Sequence, residues 1–104
     1  MPVGAVTPGA VRPSQVLAER REAVVAAVRA RGLANPRVFG SVARGADAPG
    51  GDLDLMVSVP VGAALGFLGL ADELAALLGI RVDVVSDRAL KGGYAEALDE
   101  AVPL

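Results

Sequence analysis

Two aspartates, Asp52 and Asp54, stand at alternate positions in GDLDLMVSV, a run that otherwise reads as a β-strand. Aspartate is depleted in strands. Alternate strand positions share a face, so the two carboxylates project to one side with Cα atoms roughly 6.5–7 Å apart. They can converge on one or two cations. A third aspartate, Asp83, lies in a second strand-like run, RVDVV, that could pack alongside. Three carboxylates on neighbouring strands form an oxygen cage for Mg2+, and two-metal sites clamp the attacking and leaving oxygens of a phosphate displacement. Without a cation such carboxylates repel one another and their pKa values rise. The alternative is a solvated strand face carrying Asp52 and Asp54, with Asp83 an unrelated edge residue.

Upstream, Gly40-Ser41 adds a second element. Gly40 can take backbone angles closed to other residues and admit a close ligand. Ser41 offers a hydroxyl and an amide at an expected helix start, where phosphate is well received, and Arg44 adds a cation one turn on. Taken alone, the pair is equally a turn and an N-cap. No G-x-x-x-x-G-K-[ST] and no G-x-G-x-x-G occurs, so neither of those phosphate-binding loops is present.

Composition narrows the field. The 104 residues imply one domain, and 53% apolar content supplies a core despite few aromatics, Phe39, Phe67 and Tyr94. Those three are too scattered for a base-stacking platform. With 10 basic against 12 acidic residues there is no basic patch to read a phosphate backbone, so no direct nucleic-acid partner is expected. Histidine and cysteine are absent. That excludes disulfides, imidazole or thiolate metal sites and nucleophile–histidine constellations, and leaves oxygen ligands for Mg2+, Mn2+ or Ca2+. The start, MPVGAVTPGAVRP, does not read as a secretory signal, and the uncharged stretch Leu55–Ala71 is broken by Pro60, Gly62, Gly66 and Gly69, short of a spanning helix. A cytoplasmic protein with no membrane segment is expected.

These side chains need elements to hold them. Residues 1–12 read as a flexible N-terminal arm, and 13–104 as a single domain. Ser14 is a candidate N-cap for a helix over Gln15–Ala30 with Leu17, Val24 and Val28 on one face, ended by Gly32. Arg37–Phe39 is a short strand. GADAPGG, 45–51, is a turn-rich loop. Asp52–Val59 alternates, with Leu53, Leu55, Val57 and Val59 on one face and Asp52, Asp54, Met56 and Ser58 on the other. Ala63–Leu78 reads as one helix closed by Gly79, Ile80–Val85 as a strand, and Tyr94–Ala101 as a terminal helix. The order α-β-β-α-β-α gives an α/β (α+β) fold, a small mixed sheet with helices packed mainly on one face.

GSVARG, then DLDLMV, then RVDVVS after an intervening helix, resembles the minimal nucleotidyltransferases of the DNA polymerase β superfamily, whose pattern is G-S-x-A-R-G, a spacer, S-D-x-D-L, and a later lone aspartate in a strand. The resemblance runs from about Leu33 to Pro103, with Gly51 in place of the serine usual before the first aspartate. It implies a palm-like core in which Gly40 and Ser41 hold the nucleotide triphosphate. Asp52 and Asp54 bind two Mg2+ ions (or Mn2+), Asp83 completes the metal site and helps activate the nucleophile, and Arg44 acts at the phosphates or in the local fold. Larger relatives append a helical domain that helps bind base and acceptor. Minimal members resemble antitoxins paired with a helical HEPN ribonuclease toxin, which implies transfer of AMP from ATP to a toxin tyrosine, release of pyrophosphate, and a hetero-oligomer with the toxin. The competing readings are an antitoxin that neutralises its toxin by contact alone, and a small-molecule nucleotidyltransferase.

Overall fold

In the computed structural model, residues 11–88 and 99–104 are described. The arm expected over 1–12 therefore falls almost wholly outside the described residues, as do residues 94–98 of the expected terminal helix. The described elements are α1 (Pro13–Ala30), β1 (Ala34–Phe39), α2 (Gly40–Ala43), β2 (Leu53–Ser58), α3 (Ala64–Phe67), α4 (Leu70–Leu78), β3 (Val82–Ser86) and β4 (Val102–Pro103). The strands form one mixed sheet in the order β3-β2-β1-β4. β1 pairs antiparallel with β2 and β4, whereas β2 and β3 run parallel, joined through α3 and α4.

The strand alternation places the core. Leu53, Leu55 and Val57 pack with Val38 and Val82 against Leu17, Val24 and Val28 of α1 and Leu70, Leu74 and Leu78 of α4. Both long helices thus cover one face, as the pattern implies. The opposite face holds a smaller cluster of Phe39 and Met56, with Val85 and Ala101 against it. Met56, expected on the polar side of β2, is fully buried there.

Strand and helix ends differ from the sequence expectation by one or two residues in several places, and three departures are larger. The helix expected over Ala63–Leu78 is two helices. Leu68 is extended and Gly69 takes the left-handed φ of 82°, which turns the chain between α3 and α4. β1 starts at Ala34 rather than Arg37, and Pro36, which has no N–H to give a ladder, sits at the irregular β1–β2 register between Ala34 and Arg37. β4 was not expected: its edge pairing places Val102 against Val38 and Pro103 against Arg37.

Ser14 is not the N-cap of α1. The cap position is Arg12, without a side-chain cap bond, and Pro13 opens the helix. The capping carboxylate comes from the distant loop: Asp47, 8% exposed, accepts the Ser14 N–H at 3.0 Å, and its carbonyl accepts Arg12 Nη1–H at 2.7 Å. The Ser14 amide, then the Ser14 hydroxyl, hold the Asp47 carboxyl below its ordinary 3.8, with Arg12 assisting. A depressed carboxylate stabilises the fold above its unfolded pKa, and that contribution is lost as pH falls through the folded value. Asp47→Ala is expected to cost about 1 kcal/mol, lowering Tm by about 4–8 °C. Thermal melts should show the gap to the parent closing as pH drops below 3.8.

Candidate active site

The site lies at one end of the sheet, where β1 ends and β2 and β3 begin. Phe39 pairs with Asp54 across β1–β2, and Asp54 pairs with Asp83 across β2–β3. The three form one cross-strand row, so Asp54 and Asp83 have Cα atoms about 4.8 Å apart, the spacing of neighbouring strands. Phe39, Asp54, Asp83 and Val85 line an open depression of about 490 Å³. Asp52 precedes β2 by one residue and is half-exposed, 3.9 Å from Arg81 Nη1.

Asp54 is half-buried in this row, and its carboxyl is held above the ordinary 3.8, first by burial and then by the charges of Asp83 and Asp52. Arg44 opposes the shift and Glu100 adds to it. The strand thus gathers negative charge that the chain's own cations offset only in part.

Chain reversal after β1 brings Gly40 onto Asp54. Gly40 has φ +72° and opens α2 with Phe39 as its N-cap. A Cβ on Gly40 would overlap Asp54 Oδ2, so only glycine lets the backbone pass this close to the carboxylate. Ser41 sits in the first turn of α2, as expected, but it is not the cap, and α2 has no side-chain cap bond at all. Arg44 follows as the C-cap residue, exposed, with its guanidinium on Glu100. The fold therefore brings together Gly40, Ser41, Arg44, Asp54 and Asp83, with Asp52 at the margin.

Two residues at this end carried no signal in the sequence. Glu100 reaches Gly40 and Arg44 through the β4 pairing, and Arg81 faces Asp52 from the turn before β3. Only β-register could have pointed to either.

A divalent cation fits the donor set in kind, since every candidate ligand is a carboxylate oxygen, the choice of Mg2+ and Mn2+. Among the described residues, no three acidic side chains close tightly enough to hold an ion unaided. Mg2+ commonly uses one or two carboxylates plus substrate phosphates, so the row suits a metal that arrives with a nucleotide.

A mixed sheet with helices on one face, adjacent strand aspartates and a glycine-serine turn beside them is the core of an enzyme that transfers nucleotides. The chain belongs to the nucleotidyltransferase domain family, which it matches over residues 21–100. It is 40% identical over 62 residues to the protein adenylyltransferase MntA of Thermococcus cleftensis (strain DSM 27260 / KACC 17922 / CL1), a match that covers 59% of this chain and 63% of that protein. The chain therefore spans less than two thirds of that relative's length. A solved structure assigned as a minimal nucleotidyltransferase superposes with a TM-score of 0.76 at 44% identity, over 88% of this chain and 95% of that one. A crystal structure of a toxin–antitoxin with AMP-PNP shares the fold, with a TM-score of 0.63 at 19% identity over 88% of this chain and 71% of that one. Among the described residues, no helix is long and apolar enough to cross a membrane.

Proposed function

We propose that the chain is an antitoxin that transfers AMP from ATP to a tyrosine hydroxyl of a partner HEPN-type toxin and releases pyrophosphate. The observation that carries the reading is the cross-strand pairing of Asp54 with Asp83, with the Gly40 backbone laid directly against the Asp54 carboxylate. Family membership and the likeness to a protein adenylyltransferase support it.

The hydroxyl oxygen attacks the α-phosphorus, the bond from that phosphorus to the β-bridging oxygen breaks, and pyrophosphate leaves. Asp83, exposed at the mouth of the row, takes the hydroxyl proton. The Gly40 and Ser41 amides and the Ser41 hydroxyl receive phosphate oxygens, and Arg44 balances their charge. Asp52, Asp54 and Asp83 would hold Mg2+ arriving with the nucleotide, and the metal would supply charge neutralisation for the triphosphate and a lowered pKa for the attacking hydroxyl. The depression beside the row is open, so the acceptor side chain can come from another protein.

One further feature bears on the partner. Val61, Leu65 and Leu68 are 95%, 81% and 65% exposed around α3. Grouped exposed apolar side chains mark interaction sites, and this favours a protein partner over a small-molecule acceptor. It is equally what an antitoxin acting by contact alone would display, so the test must separate transfer from contact. Incubation with the partner, ATP and Mg2+ is expected to add the mass of one or more adenylyl groups to the partner. A partner that is neutralised with its mass unchanged establishes the contact reading instead.

Ser41→Ala tests the phosphate role separately. Since Ser41 makes no cap bond, the variant is expected to melt within about 0.5 kcal/mol of the parent. Its Mg2+–ATP affinity should fall about ten- to hundredfold, the loss of one hydrogen bond to a charged group. Calorimetry and thermal melts on the same sample decide it; unchanged affinity removes Ser41 from the site.

A further inference from the structure

Glu100 places a carboxylate where the reading above places phosphate. Its Oε1 accepts the Gly40 N–H at 3.1 Å and an Arg44 Nη1–H at 3.0 Å, and its Oε2 lies 3.1 Å from the same Arg44 nitrogen. A carboxylate and a phosphate make the same charge-assisted bonds to amide and guanidinium donors. The two cannot occupy these donors together.

The sheet delivers Glu100 to this spot. β4 runs antiparallel to β1 with Val102 opposite Val38, so the chain leading into β4 passes the end of β1. The Leu104 N–H donates to the Pro36 carbonyl at 3.0 Å, and Ala101 packs against the Phe39–Met56 cluster, so the chain is anchored immediately after Glu100. Glu100 is also a fourth acid at an end of the sheet that already holds Asp52, Asp54 and Asp83. Nothing in the packing of the core calls for a carboxylate here, whereas the amide and the guanidinium do.

We infer that Glu100 is a competing carboxylate, which holds the Gly40 amide and the Arg44 guanidinium while the site is free of nucleotide and is displaced when a triphosphate binds. The inference rests on the proposal that Gly40 and Arg44 receive phosphate. The latch is weak by construction. The Arg44 and Glu100 side chains are 56% and 29% exposed, and ion pairs of that exposure contribute little. It lowers nucleotide affinity by roughly two- to fivefold, enough to tune the site without closing it.

The test uses the full chain, Mg2+–ATP as the probe, and the variants Glu100→Gln and Glu100→Ala. Calorimetry is expected to show roughly two- to fivefold tighter binding for Glu100→Ala. Glu100→Gln keeps the side chain's shape and an acceptor for the Gly40 N–H but loses the charge on Arg44, and should fall between. In parallel, hydrogen exchange at the Gly40 amide should quicken in Glu100→Ala without nucleotide. If the parent binds Mg2+–ATP and both variants bind it equally or more weakly, Glu100 does not compete and the inference is overturned. If parent and variants all fail to bind Mg2+–ATP, the phosphate reading itself is overturned, and the Gly40 exchange rate then shows a purely structural contact.

Discussion

Replacing Asp52 and Asp54 together by asparagine is expected to abolish nucleotide transfer while leaving the chain folded and, at neutral pH, more stable. Removing even one donor aimed at developing charge costs roughly 10²–10³ in rate. Removing two carboxylates proposed to hold the metal should cost at least that, because neutral amides are poor ligands for Mg2+. Stability moves the other way. Burial and the facing carboxylates raise the Asp54 pKa in the folded chain above 3.8. An acid raised on folding binds its proton more tightly in the native state, so stability is lost as pH rises from 3.8 through the folded value and stays lost above it. Asparagine carries no such loss. Metal-free melts should show the double variant above the parent at pH 7, with the gap closing in acid. Two outcomes sink the reading: a variant that still adds adenylyl mass to its partner, or one that protects cells from the partner as well as the parent does.

The residues of the candidate site stand out in the sequence because their chemistry conflicts with their surroundings. Asp54 and Asp83 lie within strands, Asp52 stands just before one, and Gly40 interrupts the exit from another; such conflicts are expected where function outweighs folding. What the sequence could not supply was register. That Asp54 faces Asp83 depends on the parallel pairing of β2 with β3, which no local pattern encodes. The same blindness hid Glu100, whose role comes from the β4 pairing, and Asp47, whose carboxylate caps a helix far upstream in the chain.

Periodicity failed in an instructive way around Gly69. Phe67, Leu70, Leu74, Leu77 and Leu78 follow helical spacing, and all pack on or against the core as that spacing implies. The spacing cannot show that the backbone turns at Gly69, because a stripe of leucines reads the same across one helix or across a break. Arg31 holds that break in place. Its guanidinium donates to the Leu68 carbonyl at 2.7 Å and the Gly66 carbonyl at 3.2 Å and pairs with Glu73 at 2.6 Å. Those carbonyls are what an unbroken helix would have used internally. The strand of the site was read well on one face and poorly on the other: Met56 looked like an outward residue among polar ones, yet Phe39 covers it.

Gly40→Ala is expected to damage both fold and function, and a second substitution separates the causes. The added methyl meets the Asp54 carboxylate, and the left-handed φ of +72° disfavours any side chain. The backbone contribution alone is about 1–2 kcal/mol, a fall in Tm of about 4–8 °C for each kcal/mol. The overlap adds to this and pushes Asp54 aside. A displacement on the order of 1 Å at a reacting centre costs roughly 10² in rate, so transfer should fall about a hundredfold even in molecules that stay folded. Combining Gly40→Ala with Asp54→Ala removes the overlap but not the φ. In that background the Gly40 substitution should cost measurably less stability than it does alone, a coupling that a double-mutant cycle reads directly, and activity should remain absent. Equal costs in both backgrounds would show that the backbone angle, not the approach to Asp54, demands glycine. Gly40→Ala retaining activity within tenfold of the parent would show that the nucleotide does not need the backbone this close to the carboxylate.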